Sequence, residues 1–403
     1  MTTSAMTSAP SERSGRLETT RALKMARSTH AYVRGNTTQF YDWLATSRSA
    51  SRLPSGSPVW ICGDCHLGNL GPVADAEGNV AVQIRDLDQT VIGNPAHDLI
   101  RLGLSLATAA RGSDLPGVTT ARMIEEMVQG YGLALAERDE GAAPEPNVVR
   151  AVRRRAMGRR WRHLAEERLE EVEPRLTLGK RFWPLDAGER QSLENLFAEP
   201  AVAAMILKLR ERDEDDRVRL IDAAYWKKGC SSLGNLRFAA LVAVGGSKKE
   251  PAAYALIDLK EAVAAIAPAM NSSAMPDDHA ERVVAGARAL SPNLGDRMLA
   301  TRLLGKPMVL RELLPQDLKL EIDQFSRKEA ILAARHLAYV VGLAHGRQMD
   351  TAQRAQWARA ISRRQSAEIE APTWLWDAVV DLTASHEAGY LEHCRRYALA
   401  QAA

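Results

Sequence analysis

The spacing of apolar residues changes twice along this chain, and this change limits the possible folds more than any single motif. Between residues 96 and about 220 the apolar residues recur at helical spacing, with breaks at Pro and Gly. Two strand-like runs follow at 238–244 and 254–259, joined by a hairpin-like connection that contains two glycines. From residue 327 onward the spacing is helical again. The pattern predicts an α+β protein with a large helical lobe and a small sheet-containing lobe.

Several shorter elements are also predicted. The strands at 58–62 and 80–84 each end in a polar loop, and such loops commonly carry function. Asp277 or Asp278 can cap a helix that begins nearby. The shorter predicted elements are two helices between 21 and 50, strands at 58–62, 80–84 and 307–314, and a helix at about 277–290.

Charge and composition exclude several classes of protein. The 403 residues contain 53 Lys and Arg against 50 Asp and Glu, and this near balance argues against a protein that coats a polyanion. Aromatic residues make up 5% of the chain, which disfavours a base-stacking platform. No apolar stretch approaches the roughly 18 uncharged residues of a spanning helix. We expect neither a membrane nor a nucleic acid as partner.

The N-terminal segment and the cysteines suggest a location. Residues 1–16 are small and polar, without the apolar run of a signal peptide. The four cysteines are too few for a disulfide framework in a chain of this length. These features predict a disordered leader at 1–20 and a cytoplasmic protein.

The two polar loops carry the residues with the clearest chemical meaning. Asp64 and Asn69 are five residues apart in G-D-C-H-L-G-N, and Asp86 lies 22 residues after Asp64. Carboxylate and amide oxygens are hard ligands that suit Mg²⁺ rather than zinc. In phosphoryl transfer one Asp accepts the proton of the acceptor hydroxyl, while an Asn and a second Asp hold the metal. Asp-x-x-x-x-Asn is the spacing of such a catalytic loop, although one such pair more often caps a turn.

The next segment strengthens this interpretation. Residues 84–102 read IRDLDQTVIGNPAHDLIRL, which places Asp86, a Gly-Asn-Pro turn and Asp98 in a fixed order. Together with the loop at 62–69, the segment resembles the catalytic region of the aminoglycoside phosphotransferase and choline kinase branch of the protein-kinase-like superfamily. Cys62, Leu87 and Asn94 stand where that branch has His, an aromatic residue and Asp.

This resemblance implies roles for individual residues. His66 belongs to the catalytic loop, where such a histidine more often fixes the loop by hydrogen bonding than reacts. Asp98 would be a buried aspartate that braces the loop. The remaining roles are Asp64 as catalytic base and Asn69, Asp86 and Asp88 as metal ligands.

The nucleotide-binding parts of such an enzyme, which normally come first, occur later in this chain. A phosphate loop is expected at 228–238, where glycine lets backbone N–H groups approach phosphates and serine adds a hydroxyl. Lys260 ends a strand, as a phosphate-pairing lysine should, and Glu281 is the best helix partner for it. The residues assigned to the nucleotide are Gly229, Ser231, Ser232, Gly234, Lys260, Glu281 and Arg311.

This order of motifs resembles the uncharacterised bacterial domain-of-unknown-function family 2252, in which kinase-like motifs are circularly permuted. The resemblance covers about residues 21–346. It implies a protein-kinase-like two-lobed fold, ATP and Mg²⁺, and phosphoryl transfer to an unidentified hydroxyl-bearing small molecule or protein. The expected units are the leader at 1–20, a helical catalytic lobe at 21–221, a nucleotide lobe at 222–318 and a helical return at 319–403.

Other interpretations stay open at this point. Ser231 replaces a glycine of the phosphate loop, which keeps a nucleotide-binding pseudokinase as an alternative, and transfer of AMP is another. Residues 62–66 also match the C-x-x-C-H pattern of haem attachment and the C-x-x-C redox pattern. The lack of a signal peptide argues against haem, and the glycines that follow argue against a redox helix. Seven arginines at 150–162 could contact phosphate, although pairing with acidic neighbours is the simpler explanation.

Overall fold

The computed structural model describes residues 12–136, 145–169, 175–209, 212–229, 233–246, 252–320, 326–362 and 372–397. The helices in these ranges are α1 (Arg13–Met25), α2 (Thr29–Gly35), α3 (Thr37–Thr46), α4 (Ala96–Gly112), α5 (Gly117–Ala136), α6 (Asn147–Met157), α7 (Trp161–Leu169), α8 (Ala187–Phe197), α9 (Pro200–Leu207), α10 (His279–Leu290), α11 (Pro292–Gly295), α12 (Arg327–Gly346), α13 (Thr351–Ile361) and α14 (Thr373–Tyr397). The strands are β1 (Val59–Ile61), β2 (Leu70–Ala74), β3 (Val80–Ile84), β4 (Val91–Gly93), β5 (Phe182–Trp183), β6 (Val218–Trp226), β7 (Arg237–Val244), β8 (Ala253–Glu261), β9 (Met298–Leu303) and β10 (Lys306–Leu313).

Six strands form an antiparallel sheet in the order β5-β6-β7-β8-β10-β9. The β7–β8 hairpin places Arg237 opposite Lys260, and β10 places Arg311 opposite Asp258. Asp258 and Lys260 share a face of β8 because side chains alternate between the two faces of a strand. Residues directly opposite each other also share a face. The sheet therefore gathers these four charged residues on one face.

The two faces of this sheet contribute to different cores. Phe238 and Ile257 point to one face and join a buried cluster with Leu193 and Phe197 of α8. The face with the charged residues contributes instead to a cluster that includes Leu164 of α7. Burial of a large apolar side chain contributes about 2 kcal/mol, so each face is stabilised by its own covering helices.

The largest core lies in the helical lobe. Here α5 packs along α12, and α14 packs on α4. Val283 and Ala287 of α10 belong to this core, although α10 also contacts β9 and β10. Helix α10 therefore joins the sheet lobe to the helical lobe. None of the described helices combines the length and apolar character needed to cross a bilayer.

Two short ribbons lie at the start of the helical lobe. β1 pairs with β4, and β2 pairs with β3 in a register that sets Leu70 opposite Ile84. Asn69 directly precedes β2 and Asp86 closely follows β3, so this register brings the two residues to the same end of the ribbon. The backbone N–H of Arg85 donates to the carbonyl oxygen of Asn69 at 2.7 Å. Strand pairing thus joins two motifs that are separate in the sequence.

Many of the predicted elements are confirmed, as is the α+β class. α12 and β3 have the predicted bounds, and the predicted strands at 238–244 and 254–259 form the β7–β8 hairpin. Asp278 caps α10 by accepting from the backbone N–H groups of Ala280 and Glu281. The prediction missed β2, β4, β5, β6 and β9, which are short or lack a clear alternation of polar and apolar residues.

Two boundaries differ from the prediction. Helix α1 begins at Arg13, inside the predicted leader, while residues 1–11 lie outside the described residues. Arg13 forms a buried ion pair with Glu189 at 2.6 Å, and Leu17 packs in the core of the sheet lobe. The sheet begins at β5, within the region predicted to be helical up to residue 221. Both differences arise from contacts with distant parts of the chain, which a local pattern does not record.

Two buried histidines should make the stability depend on pH. Burial lowers the pKa of His386 to about 3 and the pKa of His336 to about 4. An unfolded histidine titrates near pH 6.5, so in mild acid the unfolded chain binds protons that the folded chain excludes. Stability is therefore full above about pH 6.5 and is lost as the pH falls below that value.

The test is urea denaturation at about pH 7.5 and about pH 5. His386→Leu should reduce the loss in free energy of unfolding between these two pH values by about 2 kcal/mol relative to the wild type. The control is His279→Leu, at the partly exposed start of α10, which should leave the loss unchanged. An unchanged loss in the His386 variant would contradict this origin of the pH dependence.

Candidate active site

The loop that follows β1 is held by one buried carboxylate. Asp98, in the first turn of α4, accepts hydrogen bonds from the backbone N–H groups of Cys62 at 2.7 Å and Gly63 at 3.0 Å. Gly63 has a φ of +73°, and a Cβ at this position would lie 2.2 Å from the carbonyl oxygen of Gln89. This geometry requires glycine at 63. The two hydrogen bonds to Asp98 are the contacts that its predicted bracing role requires.

A chain of buried polar groups continues from Asp98 into the helical core. His345 Nε2 lies 3.1 Å from Asp98 Oδ2, and His345 Nδ1 lies 2.8 Å from the Tyr131 hydroxyl. Trp357 Nε1 donates to that hydroxyl at 3.0 Å. The loop is therefore tied to α12, α5 and α13 as well as to α4. Asp98 and His345 are 247 residues apart, and no sequence motif joins them.

Asp64, the predicted base, has two side-chain partners. Arg101 Nε donates to Asp64 Oδ1 at 2.8 Å, and the Thr37 hydroxyl donates to Oδ2 at 3.0 Å. Burial raises the pKa of Asp64, although the Arg101 guanidinium opposes the rise. A raised pKa makes a carboxylate a better proton acceptor near neutral pH. The arrangement fixes the carboxylate and increases its basicity.

Asn69 supports this loop by a hydrogen bond, whereas His66, expected to fix the loop in that way, forms no side-chain hydrogen bond with the described residues. Asn69 Nδ2 donates to the backbone carbonyl of Asp64 at 3.0 Å, so the atom of this side chain suited to a metal is Oδ1. His66 Nε2 lies 4.0 Å from Asp64 Oδ2, too far for a hydrogen bond. Burial and the nearby Arg34 guanidinium hold the pKa of His66 well below its usual range. His66 is therefore a neutral neighbour of Asp64.

Lys260 meets the second acidic loop. Its ammonium lies 3.5 Å from Asp86 Oδ1 and makes a closer contact with Asp88 Oδ2. Burial alone would raise the pKa of Asp86, but the positive charges of Lys260 and Arg311 hold that pKa below its usual range. The pKa of Asp88 is raised by burial and by the negative charge of Asp86. The predicted partner Glu281 lies in the first turn of α10 with an exposed side chain. The structure gives Lys260 the two aspartates as ion-pair partners instead.

A buried carboxylate that the sequence analysis did not identify organises the cations of the sheet. The Asp258 carboxylate accepts two hydrogen bonds from Arg237, from Nε at 2.8 Å and from Nη2 at 2.6 Å. Lys228 lies 3.3 Å and Arg311 lies 3.7 Å from the same carboxylate. These cations outweigh burial and hold the pKa of Asp258 well below its usual range. The available signal was a charged residue two positions before Lys260 in an apolar strand.

These groups meet at a cavity of about 420 Å³ between the sheet and the helical lobe. Its lining includes the side chains of Asp64, His66, Asn69 and Asp86 from the two loops and Arg311 from the sheet. Among the described residues, eight Lys or Arg side chains and three Asp side chains line it. The cavity is thus strongly basic, although the whole chain has a net charge of only +3. Such a lining favours an anionic ligand.

The phosphate loop is described only in part. Gly229 lines the cavity, and its carbonyl oxygen accepts a hydrogen bond from Lys24 Nζ at 2.9 Å. Ser231 and Ser232 lie outside the described residues. Gly234 has a φ of +112° and follows them on the way to β7. The structure therefore places one end of the predicted loop at the cavity.

The donor set suits Mg²⁺ bound together with a phosphate-bearing ligand. Among the described residues, no group of three or more His, Cys, Asp or Glu side chains is arranged to hold a metal ion. Mg²⁺ usually takes one or two carboxylates and completes its shell with waters and substrate phosphates. Asp86 and Asn69 would supply the protein oxygens, and Asp88 adjoins them. These side chains could therefore supply part of a metal's oxygen ligands, with the remainder coming from outside the protein.

The family model for uncharacterised proteins conserved in bacteria, DUF2252, matches residues 13–396. This match covers the helical lobe, the sheet and all the site residues described above. No curated protein and no solved structure matches the chain.

Asp98→Asn tests whether the buried carboxylate braces the loop. The Asp98 carboxylate offers two acceptor oxygens to two backbone N–H groups and His345, whereas the amide of Asn offers one. Buried partners therefore lose hydrogen bonds in the variant. We expect the free energy of unfolding to fall by about 2–4 kcal/mol in urea denaturation. The control Asp42→Asn, at an exposed position of α3, should change it by less than about 0.5 kcal/mol. Equally small effects in both variants would contradict the bracing role.

Proposed function

The chain belongs to the bacterial family DUF2252, and from its site we propose that the protein is an ATP- and Mg²⁺-dependent phosphotransferase with a kinase-like, circularly permuted fold. The acceptor would be a hydroxyl-bearing molecule. One observation carries the proposal. Asp64, Asn69 and Asp86 from the helical lobe line one basic cavity, and Lys260 from the sheet lies 3.5 Å from Asp86 at its edge.

The types of these residues support the proposal. Phosphoryl transfer needs few reacting groups, because positioning and charge neutralisation supply most of the catalysis. It needs a carboxylate near the acceptor hydroxyl, oxygen ligands for the metal and a lysine for the nucleotide phosphates. Asp64, the pair Asn69 and Asp86, and Lys260 meet these three needs.

The order of elements also supports a permuted kinase-like arrangement. In protein kinases the phosphate-pairing lysine lies on the third strand and the helix that follows contributes a glutamate. Here Lys260 lies on the third of three consecutive long strands, β6, β7 and β8, and α10 follows. The catalytic loop precedes these strands in the sequence but lies at the same cavity. Packing rather than chain order determines which groups meet, so permutation preserves the site.

A balanced reaction can be assigned to these groups. Asp64 accepts the proton of the acceptor hydroxyl, and the hydroxyl oxygen forms a bond to the γ-phosphorus of ATP. The bond between that phosphorus and the bridging oxygen breaks, and ADP leaves. When bound, Mg²⁺ neutralises charge that develops on the phosphate oxygens. Arg101 and Thr37 hold Asp64 in position, and Arg237 and Arg311 keep the sheet side of the cavity positive.

Three variants test the proposal. We expect Asp64→Asn to keep Mg²⁺–ATP binding but to lower turnover by about 10²–10⁴-fold, because it removes the proton acceptor. Asp86→Asn and Lys260→Met should weaken Mg²⁺–ATP binding as well, because they remove a metal ligand and a phosphate partner. Binding is measured by calorimetry, and turnover by product release from Mg²⁺–ATP in the presence of a bacterial small-molecule extract.

The matched controls are Asp42→Asn and Lys328→Met, which alter exposed residues of α3 and α12. Both should retain wild-type binding and turnover. Wild-type turnover in the Asp64 and Asp86 variants would refute the proposed roles. Release of ADP with a gain of phosphate mass in the extract supports phosphoryl transfer. Release of pyrophosphate with a gain of AMP mass indicates adenylyl transfer, and ATP binding without any product indicates a nucleotide-binding regulator.

A further inference from the structure

We propose that the acceptor is itself an anion, a small hydroxyl-bearing phosphate or carboxylate, and that Arg34 binds its anionic group beside Asp64. This inference rests on the proposed function, because it names the substrate class of the same site. It follows from where the cations of the cavity lie and from which of them already have acidic partners.

The side chain of Arg34 packs against the proposed catalytic loop. Arg34 lies in the last turn of α2, and a Cβ on Gly68 would be 3.1 Å from both Cζ and Nε of its guanidinium. The same Cβ would lie 3.3 Å from Cε1 of His66. The guanidinium therefore packs against bare backbone next to His66, two residues from Asp64. A side chain at position 68 would press on the guanidinium and require it to shift.

Six of the eight basic residues of the lining come from the sheet side and from the segment 24–34, and the other two are Arg85 and Lys319. On the sheet side Lys228, Arg237 and Arg311 share the Asp258 carboxylate, and Lys260, at the edge of the cavity, contacts Asp86 and Asp88. From the segment 24–34, Lys24 lies in the last turn of α1, Arg27 follows that helix, and Arg34 lies in the last turn of α2. Within the described part of the chain, neither Arg27 nor Arg34 forms an ion pair with a carboxylate. Arg27 and Arg34 therefore bring positive charge to the cavity that no described carboxylate pairs with, and Arg34 brings it beside the loop of Asp64.

The acidic residues of the cavity are less suited to bind a cationic acceptor than Arg34 is to bind an anionic one. Asp64 is paired with Arg101 at 2.8 Å, and Asp86 is paired with Lys260. Asp317 is paired with Arg297, whose Nη2 donates to both carboxylate oxygens at 3.1 Å. All three described carboxylates of the lining thus already have a cation. An added cationic group would meet a positive potential there, whereas an anion could form charge-assisted hydrogen bonds with Arg34.

A buried polar atom at the cavity also lacks a partner. His66 lines the cavity with 3% of its surface exposed, and its Nδ1 has no hydrogen-bond partner among the described residues. A buried polar atom in a protein normally has a hydrogen-bond partner. The cavity volume of about 420 Å³ lies in the range of small-molecule sites, so a small molecule fits better than a protein segment.

The test compares four hydroxyl-bearing probes of similar size: sn-glycerol 3-phosphate, D-glycerate, glycerol and choline. Their dissociation constants are measured by calorimetry on the full chain, alone and with a saturating non-hydrolysable Mg²⁺–ATP analogue. In the presence of the analogue the nucleotide phosphates occupy their own subsite. We expect the two anionic probes to bind at least about tenfold more tightly than glycerol or choline.

Variants assign this preference to Arg34. Arg34→Gln should lower the affinity for sn-glycerol 3-phosphate by about tenfold or more, and Arg34→Lys should restore part of that affinity. The affinity for the Mg²⁺–ATP analogue should change by less than about threefold. Arg288→Gln, which removes an exposed charge at the end of α10, should leave both affinities unchanged.

Three results would overturn the inference. They are equal or tighter binding of choline, unchanged probe affinity in Arg34→Gln, and a parallel loss of analogue and probe affinity in that variant, which would place Arg34 on the nucleotide side. Failure of the analogue to bind would refute the proposed function instead. The probe titrations without nucleotide would then still decide whether Arg34 selects anions.

Discussion

The carboxylate of Asp98 accepts from the two backbone N–H groups that set the course of the loop after β1. Buried N–H groups without an acceptor cost about 1–3 kcal/mol each, so this loop conformation depends on a carboxylate at the start of α4. The carboxylate is in turn held by His345, and His345 by Tyr131. The position of Asp64 is therefore decided in the helical core rather than within its own loop.

A second constraint is the cost of burying charge. An isolated buried ion is strongly disfavoured, and the site contains several. Arg101 is fully buried against Asp64, and Arg237 and Asp258 are buried against each other. Each pair makes a group rigid at the edge of the cavity without leaving its charge uncompensated. The α1–α2 side differs, because it brings further cations to the cavity. This asymmetry explains how a nearly neutral chain can contain a site that favours anions.

Local features of the fold were predictable because they depend on neighbours in the sequence. The capped pattern of α12, the apolar run of β3 and the turn between β7 and β8 all reside in short segments. The pairing of α1 with the sheet lobe was not predictable. It depends on Arg13 meeting Glu189, which is 176 residues away. Strand β6 was missed because only part of it alternates between buried and exposed positions.

The sequence by itself determined the candidate groups: Asp64 and Asn69 at a fixed spacing, Asp86 after a strand, and Lys260 at the end of another. These were readable because residue types and spacings are local properties of the chain, whereas the bracing role of Asp98 was expected only from the family resemblance. Only the tertiary structure decided that Lys260 faces Asp86 and Asp88, and that Asp258 gathers the cations of the sheet. It alone placed Arg34 against the catalytic loop. Strand register and helix packing join residues that are far apart in sequence, and charge interactions depend on distance in space.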